Sequence, residues 1–287
     1  MNGRPTIQHW VPRFYLKQFA TEETRGTSNP KVWVINKDDS PSEPELVTTR
    51  RICGQRFLYT PEGSDGRRDW SLEEYFSGLE SGAAEYWEAL SSLQLDLSEP
   101  EVRSRVAEFL AALHLRNKFV FDLCKGIMEK RDALFGRPRP IQKIAGEEVN
   151  DDRPDLTNPG KIFAQSTRDG IPRIKKLFES YRWMILKCEK NVLTTSDVPV
   201  TFIDSIPRRS GPGSKDAKAV FPVSPSTLLC MVPREGQPET LCGEVDCAFF
   251  QDVNQAIENY AERFVVLGTK DAANQWFQDK LNRTPKA

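Results

Sequence analysis

Ser71-Leu72-Glu73-Glu74-Tyr75-Phe76-Ser77-Gly78-Leu79-Glu80 opens a run in which Leu72, Tyr75, Phe76, Leu79, Ala83, Tyr86, Trp87 and Leu90 recur every three or four residues. That spacing gathers the apolar side chains on one helix face and predicts an amphipathic helix over 71–90. Downstream, Ser98-Glu99-Pro100-Glu101 has the form of a capping box. It predicts a second helix reaching Phe135, about 55 Å long at 1.5 Å per residue, with Gly126 as its candidate break. Other stretches follow a different rule. Lys31-Val32-Trp33-Val34-Ile35, Phe57-Leu58-Tyr59 and Tyr181 to Lys187 are rich in β-branched and aromatic residues and read as strands, and Val220 to Val232 as another strand or a hairpin. Val192 to Ile203 reads as a strand broken by a turn at Ser196-Asp197. Short helices are expected over 11–19, with Pro12 in the first turn, over 171–180, from near Asp252, and over 270–282.

The sum is an α+β fold in one composite domain, 1–287. A mainly helical half, 1–135, packs on a mixed or antiparallel sheet from a strand-rich half, 161–287, that ends in helices. Residues 136–160, with four prolines and no apolar period, read as an exposed loop or hinge, and 205–217 as a mobile loop.

Lys plus Arg number 40 and Asp plus Glu 41, so no net field favours nucleic acid, a membrane or an acidic substrate. Any such partner must be met by a local patch. The six cysteines form no CxxC pair and have only His9 and His114 to join them, which argues against structural zinc and for reduced thiols. The first residues lack the pattern of a secretory signal, and no apolar run approaches 18 residues, so a cytoplasmic protein without membrane contact is expected. There is no GxxxxGK[ST] loop, no GxGxxG after a strand, no HExxH and no GxSxG elbow, which disfavours nucleotide and dinucleotide cofactors, zinc-protease chemistry and esterase chemistry.

Chemistry is concentrated near the start. His9 brings a base that titrates near neutrality, Arg13 a cation able to clamp phosphate, and Tyr15 a phenol. The plainer alternative is a histidine bonded to a backbone carbonyl beside a solvated arginine. Thr194-Thr195-Ser196-Asp197-Val198-Pro199 delivers an acid at a strand end, where sites are often built, but is equally an ordinary Asx-type turn. Glu80, with Glu73 and Glu74 one to two turns earlier, could offer an inward carboxylate to a metal or simply a solvated face. His114 and Arg116 could project from mid-helix into a cleft or be satisfied in the core.

The stretch His9-Trp10-Val11-Pro12-Arg13-Phe14-Tyr15-Leu16-Lys17-Gln18-Phe19 resembles the opening of a bacterial family described only as a domain of unknown function. So do Phe57-Leu58-Tyr59-Thr60, Glu80 on its helix, Leu115-Arg116, Leu193 to Val200, Phe221-Pro222-Val223-Ser224-Pro225 and Val253-Asn254, in order along the chain. Val198 stands where that pattern usually has a polar residue. The resemblance implies a polar cleft shared by His9, Arg13, Ser196, Asp197 and Asn254. Two functions are then expected. One is a metal-dependent phosphodiester hydrolase, a nuclease in a bacterial defence or toxin setting. In it His9 and Asp197 are catalytic, Glu80 and Asp197 hold Mg2+ or Mn2+, and Arg13, Tyr15, Arg116, Ser196 and Asn254 bind substrate. The other is a non-catalytic module that binds nucleic acid or a neighbouring-gene protein, with His9 and Asp197 as hydrogen-bonded staples.

Overall fold

In a computed structural model that describes residues 4–37, 42–63, 66–136, 158–203, 211–214, 216–233 and 239–283, the helix beginning at Ser71 runs to Ser91 and buries Leu72, Phe76, Ala83, Trp87 and Leu90, the face its spacing marks out. In chain order the elements are β1 (Ile7–His9), α1 (Arg13–Leu16), α2 (Glu22–Arg25), β2 (Lys31–Asn36), β3 (Glu45–Thr48), β4 (Gly54–Arg56), α3 (Ser71–Ser91), α4 (Pro100–Leu115), α5 (Lys118–Phe135) and α6 (Pro159–Ser180). They continue with β5 (Arg182–Lys187), β6 (Thr195–Ser196), β7 (Thr201–Ile203), β8 (Lys218–Ser224), β9 (Thr227–Val232), β10 (Thr240–Glu244), α7 (Phe249–Tyr260), β11 (Phe264–Leu267) and α8 (Lys270–Arg283).

The fold is α+β. A five-stranded sheet has the order β10-β5-β9-β8-β7, antiparallel except for the parallel β10–β5 pair. A four-stranded antiparallel sheet, β3-β2-β11-β6, draws two strands from each end of the chain, and β1 pairs with β4 as a small ribbon. The opening segment lies in the main core. Tyr15 stacks on Phe221 of β8 at 5.1 Å and meets Trp87 of α3 edge-on at 5.7 Å, while Phe14 meets Trp87 at 5.2 Å. Such pairs contribute about 0.5–1.5 kcal/mol each beyond the area they bury. Pro222 is tolerated inside β8 because the ladder slips there, between Pro222 and Ser224, and its carbonyl accepts from the Tyr15 hydroxyl at 2.8 Å.

Several boundaries differ from the sequence reading. Ser98 does not cap α4: its hydroxyl and amide both donate to Asp96 Oδ1, at 2.6 and 2.9 Å, and Pro100 starts the helix behind Glu99. The long helix breaks at Asn117, not Gly126, because the Asn117 side chain accepts from the Phe119 amide at 2.9 Å and caps a new helix. Phe57-Leu58-Tyr59 is a turn after β4, with Phe57 at φ 53°, and Leu58 and Tyr59 are buried within it. Helix α6 begins at Pro159, well before 171, and carries Pro172 inside it. Most of the loops expected at 136–160 and 205–217 lies outside the described residues.

The cysteines, expected to be mostly reduced thiols, divide into four free thiols and one pair among the described residues. Cys188 and Cys247 form a disulfide, brought together because β5 and β10 run parallel and end side by side. Among the described residues, no helix is long and apolar enough to cross a membrane.

Candidate functional site

Strand β1 ends at His9, and its partner β4 begins at Gly54, directly opposite. A side chain at Gly54 would stand 3.0 Å from His9 Nε2, so the glycine makes room for the imidazole to lie across the ribbon. Cys53 and Phe57, which bracket β4, both hold left-handed backbone at φ 53°, a conformation that costs non-glycine residues energy and is concentrated at functional sites. His9 Nε2 lies 3.2 Å from the Arg50 carbonyl. A carbonyl only accepts, so Nε2 carries the ring proton and Nδ1 is left with its lone pair. Burial holds the His9 pKa below its ordinary 6.5 against the opposing pull of the Arg50 carbonyl and Glu80, with Arg13 and Arg116 adding to the lowering, so the neutral ring predominates at pH 7.

His9 lines a cavity of about 570 Å³ together with Arg13, Arg50, Glu73, Phe76 and Glu80. Arg13 is exposed at the start of α1, Arg50 follows β3 in a short 3-10 turn, and neither makes an ion pair among the described residues. Glu73 and Glu80 stand two helical turns apart on α3 and share the face over the cavity. Burial, reinforced by Glu80, raises the Glu73 carboxyl from 4.5 to about 7, so it retains its proton on a good fraction of molecules at neutral pH. Glu80 is committed: its Oε1 accepts from Arg116 Nη1 at 2.7 Å.

Arg116, 2% exposed, lies against the Phe76 ring, and its Nε and Nη2 are buried without a hydrogen-bond partner among the described residues. It therefore adds positive potential beneath the cavity without a nitrogen that a substrate can touch. The sequence reading places it among the substrate-binding residues; the structure places it behind the cavity wall. His114, two residues earlier, is half-buried with its ring against Phe202, and burial lowers its pKa to about 4.

Of the residues expected to share a cleft, the structure brings together His9, Arg13 and Glu80, with Arg116 behind them. Tyr15, Ser196, Asp197 and Asn254 do not line this cavity. Asp197, 3% exposed, accepts from the amides of Glu262 at 3.0 Å and Arg263 at 2.9 Å, which ties its turn to the start of β11. Burial outweighs those bonds and raises its pKa from 3.8 to about 6. Ser196 Oγ accepts from the Val198 amide, and Tyr15 bonds Thr195 at 2.6 Å. Asn254 accepts from the Thr194 amide at 2.9 Å and donates to the Val192 carbonyl at 2.8 Å. The opening segment does meet the Asp197 turn, but through Trp10 Nε1 donating to the Asp197 carbonyl at 3.2 Å, a scaffold contact.

A Mg2+ or Mn2+ site shared by Asp197 and Glu80 does not fit this arrangement, since one carboxylate is held by amides and the other by an arginine. Among the described residues, no three His, Cys, Asp or Glu side chains are grouped to hold a metal ion. Of the charged residues of the cavity, Glu73 entered the sequence reading only as a companion of Glu80, and Arg50 did not enter it. Glu73 had a signal in its seven-residue spacing from Glu80, whereas Arg50 had none, because only the pairing of β2 with β3 and the turn that follows carry it there.

Fold and site together define an α+β protein with an arginine-rimmed polar cavity under its N-terminal ribbon. The chain belongs to the family described as Protein of unknown function (DUF4238), whose model matches residues 7–271. No curated protein and no solved structure matches the chain.

Proposed function

We propose that this protein is a phosphodiester-cleaving enzyme, a nuclease, that works by general acid–base catalysis in the His9 cavity. One observation carries the reading: a neutral histidine of defined tautomer, a carboxyl titrating near 7 and two uncommitted guanidinium groups line the same cleft. Phosphodiester cleavage needs a base for the nucleophile, an acid for the leaving oxygen, and cations for the developing charge on phosphorus oxygens. His9, Glu73, and Arg13 with Arg50 supply these in turn.

The test is incubation of single-stranded RNA and DNA with the protein in EDTA, and separately in Mg2+ or Mn2+. His9→Ala is expected to lower the rate about 10²–10⁴-fold, the usual contribution of a positioned acid or base. Equal activity in wild type and H9A, or none in either, overturns the proposal. A defence or toxin setting goes with it in the same testable form: expression of the wild type slows cell growth and H9A relieves the effect.

One observation favours a second reading, a binding module without chemistry. The His9–Arg50 bond joins the β1–β4 ribbon to the turn after β3, as a staple would. That reading requires H9A to lose melting temperature markedly while binding to nucleic acid or a partner protein falls with it and no turnover is found.

A further inference from the structure

Beside the cavity lies a cationic aromatic patch that the acid–base reading does not use. The Phe57 amide donates to the carbonyl of Thr6, a residue of the cavity wall, at 3.0 Å, so the turn after β4 continues that wall outward. There Phe57 and Trp70 meet edge-on at 6.4 Å, both partly exposed. Three arginines lie over their rings: Arg4 over Trp70 at 5.1 Å, and Arg56 and Arg68 over Phe57 at 5.7 and 3.9 Å. Arg4 is paired with Glu74 and Arg68 with Glu62, while Arg56 makes no ion pair among the described residues. Guanidinium planes laid over aromatic rings hold single strands, because a base can stack on the guanidinium plane and every link brings a phosphate to neutralise.

The cavity restricts the chemistry further. Cleavage by water at neutral pH usually relies on a metal to generate the nucleophile, and the described donor groups do not cluster to hold one. RNA brings its own nucleophile, a hydroxyl on the carbon next to the one that bears the phosphate oxygen, and such positioned groups reach effective concentrations on the order of 10⁵–10⁸ M.

We propose, building on the nuclease reading, that the substrate is single-stranded RNA, laid across Phe57 and Trp70 and cleaved by its own 2′-hydroxyl. His9 Nδ1 takes the 2′-hydroxyl proton as the 2′-oxygen bonds to phosphorus. The bond from phosphorus to the 5′-oxygen breaks, and that oxygen leaves with the Glu73 proton. The products are a 2′,3′-cyclic phosphate and a 5′-hydroxyl; His9 then gives its proton to solvent and Glu73 regains one. Arg13 and Arg50 hold the phosphate oxygens, and Arg56 meets a neighbouring phosphate.

The experiment uses the full chain in EDTA with a single-stranded RNA oligonucleotide and the same oligonucleotide bearing 2′-O-methyl riboses throughout. The all-ribose strand is expected to be cut, leaving cyclic phosphate ends, and the methylated strand to stay intact. Glu73→Gln is expected to lower kcat about 10²-fold or more and to remove the loss of rate above pH 7, with melting temperature not lowered. Arg56→Ala and Trp70→Ala are expected to raise KM several-fold with kcat little changed. Cutting of the methylated strand or of DNA, or activity only with Mg2+ or Mn2+, overturns this inference and leaves the nuclease reading standing. No cutting of any nucleic acid under any condition overturns both.

Discussion

Removing Glu80 tests the electrostatic frame of the cavity. Arg116 is buried, one of its nitrogens is paired with Glu80 at 2.7 Å, and two others find no partner among the described residues. Glu80→Ala leaves a guanidinium charge in the core without its carboxylate. Breaking a buried pair from one side costs about 3–5 kcal/mol. The Glu80 side chain is 32% exposed, so water replaces part of what it supplied, and the lower end, about 3 kcal/mol, applies. Unfolding entropy near 2.1 cal/mol/K per residue gives roughly 0.6 kcal/mol/K for a chain of this length. The melting temperature of E80A is therefore expected to fall by about 5 °C. Arg116→Met places an apolar chain of similar length against Phe76 and leaves Glu80 at the edge where solvent reaches it, so the double variant is expected to melt above E80A. Scanning calorimetry of wild type, both single variants and the double variant provides the cycle. The reasoning fails if E80A melts within about 1 °C of wild type, or if the two changes simply add, since groups that act as a pair must couple.

Tyr15→Phe removes the hydroxyl shared by Thr195 and the Pro222 carbonyl, and chemical denaturation should show a loss of about 1–3 kcal/mol with unchanged turnover, because Tyr15 does not line the cavity. Cys188→Ser with Cys247→Ser opens a 59-residue loop; chain entropy puts the cost at about 4 kcal/mol, seen as a lower melting temperature that dithiothreitol reproduces in the wild type alone. The Glu73 carboxyl titrates higher folded than unfolded, so its contribution to stability is fully present below pH 4.5 and is lost as pH rises through about 7. Melting temperature across that window should decline less steeply for Glu73→Gln than for wild type. The residual slope belongs partly to Asp197, whose contribution is lost as pH rises from 3.8 through about 6.

What the sequence revealed was whatever depends on neighbours along the chain. Helix α3 was legible because its apolar period is local, and the β8–β9 hairpin because its two strands are consecutive. His9, Arg13 and Glu80 were legible as residue types, yet type alone could not separate them from Asp197 and Asn254, whose side chains are just as polar. The difference lies in where the backbone amides and carbonyls go. Around Asp197, two amides at the start of β11 turn inward and consume the carboxylate. Around His9, the partner among the described residues is one carbonyl, which engages only one ring nitrogen. Both outcomes are set by strand pairings between distant segments, β6 with β11 and β1 with β4, as is the meeting of Cys188 with Cys247. The same pairing that exposes His9 to the cavity requires Gly54 behind it and holds Cys53 and Phe57 in left-handed backbone. The acid–base role proposed for the opening segment thus rests on the ribbon, and Phe57, held in left-handed backbone just after β4, also carries the aromatic patch that lies beside the cavity.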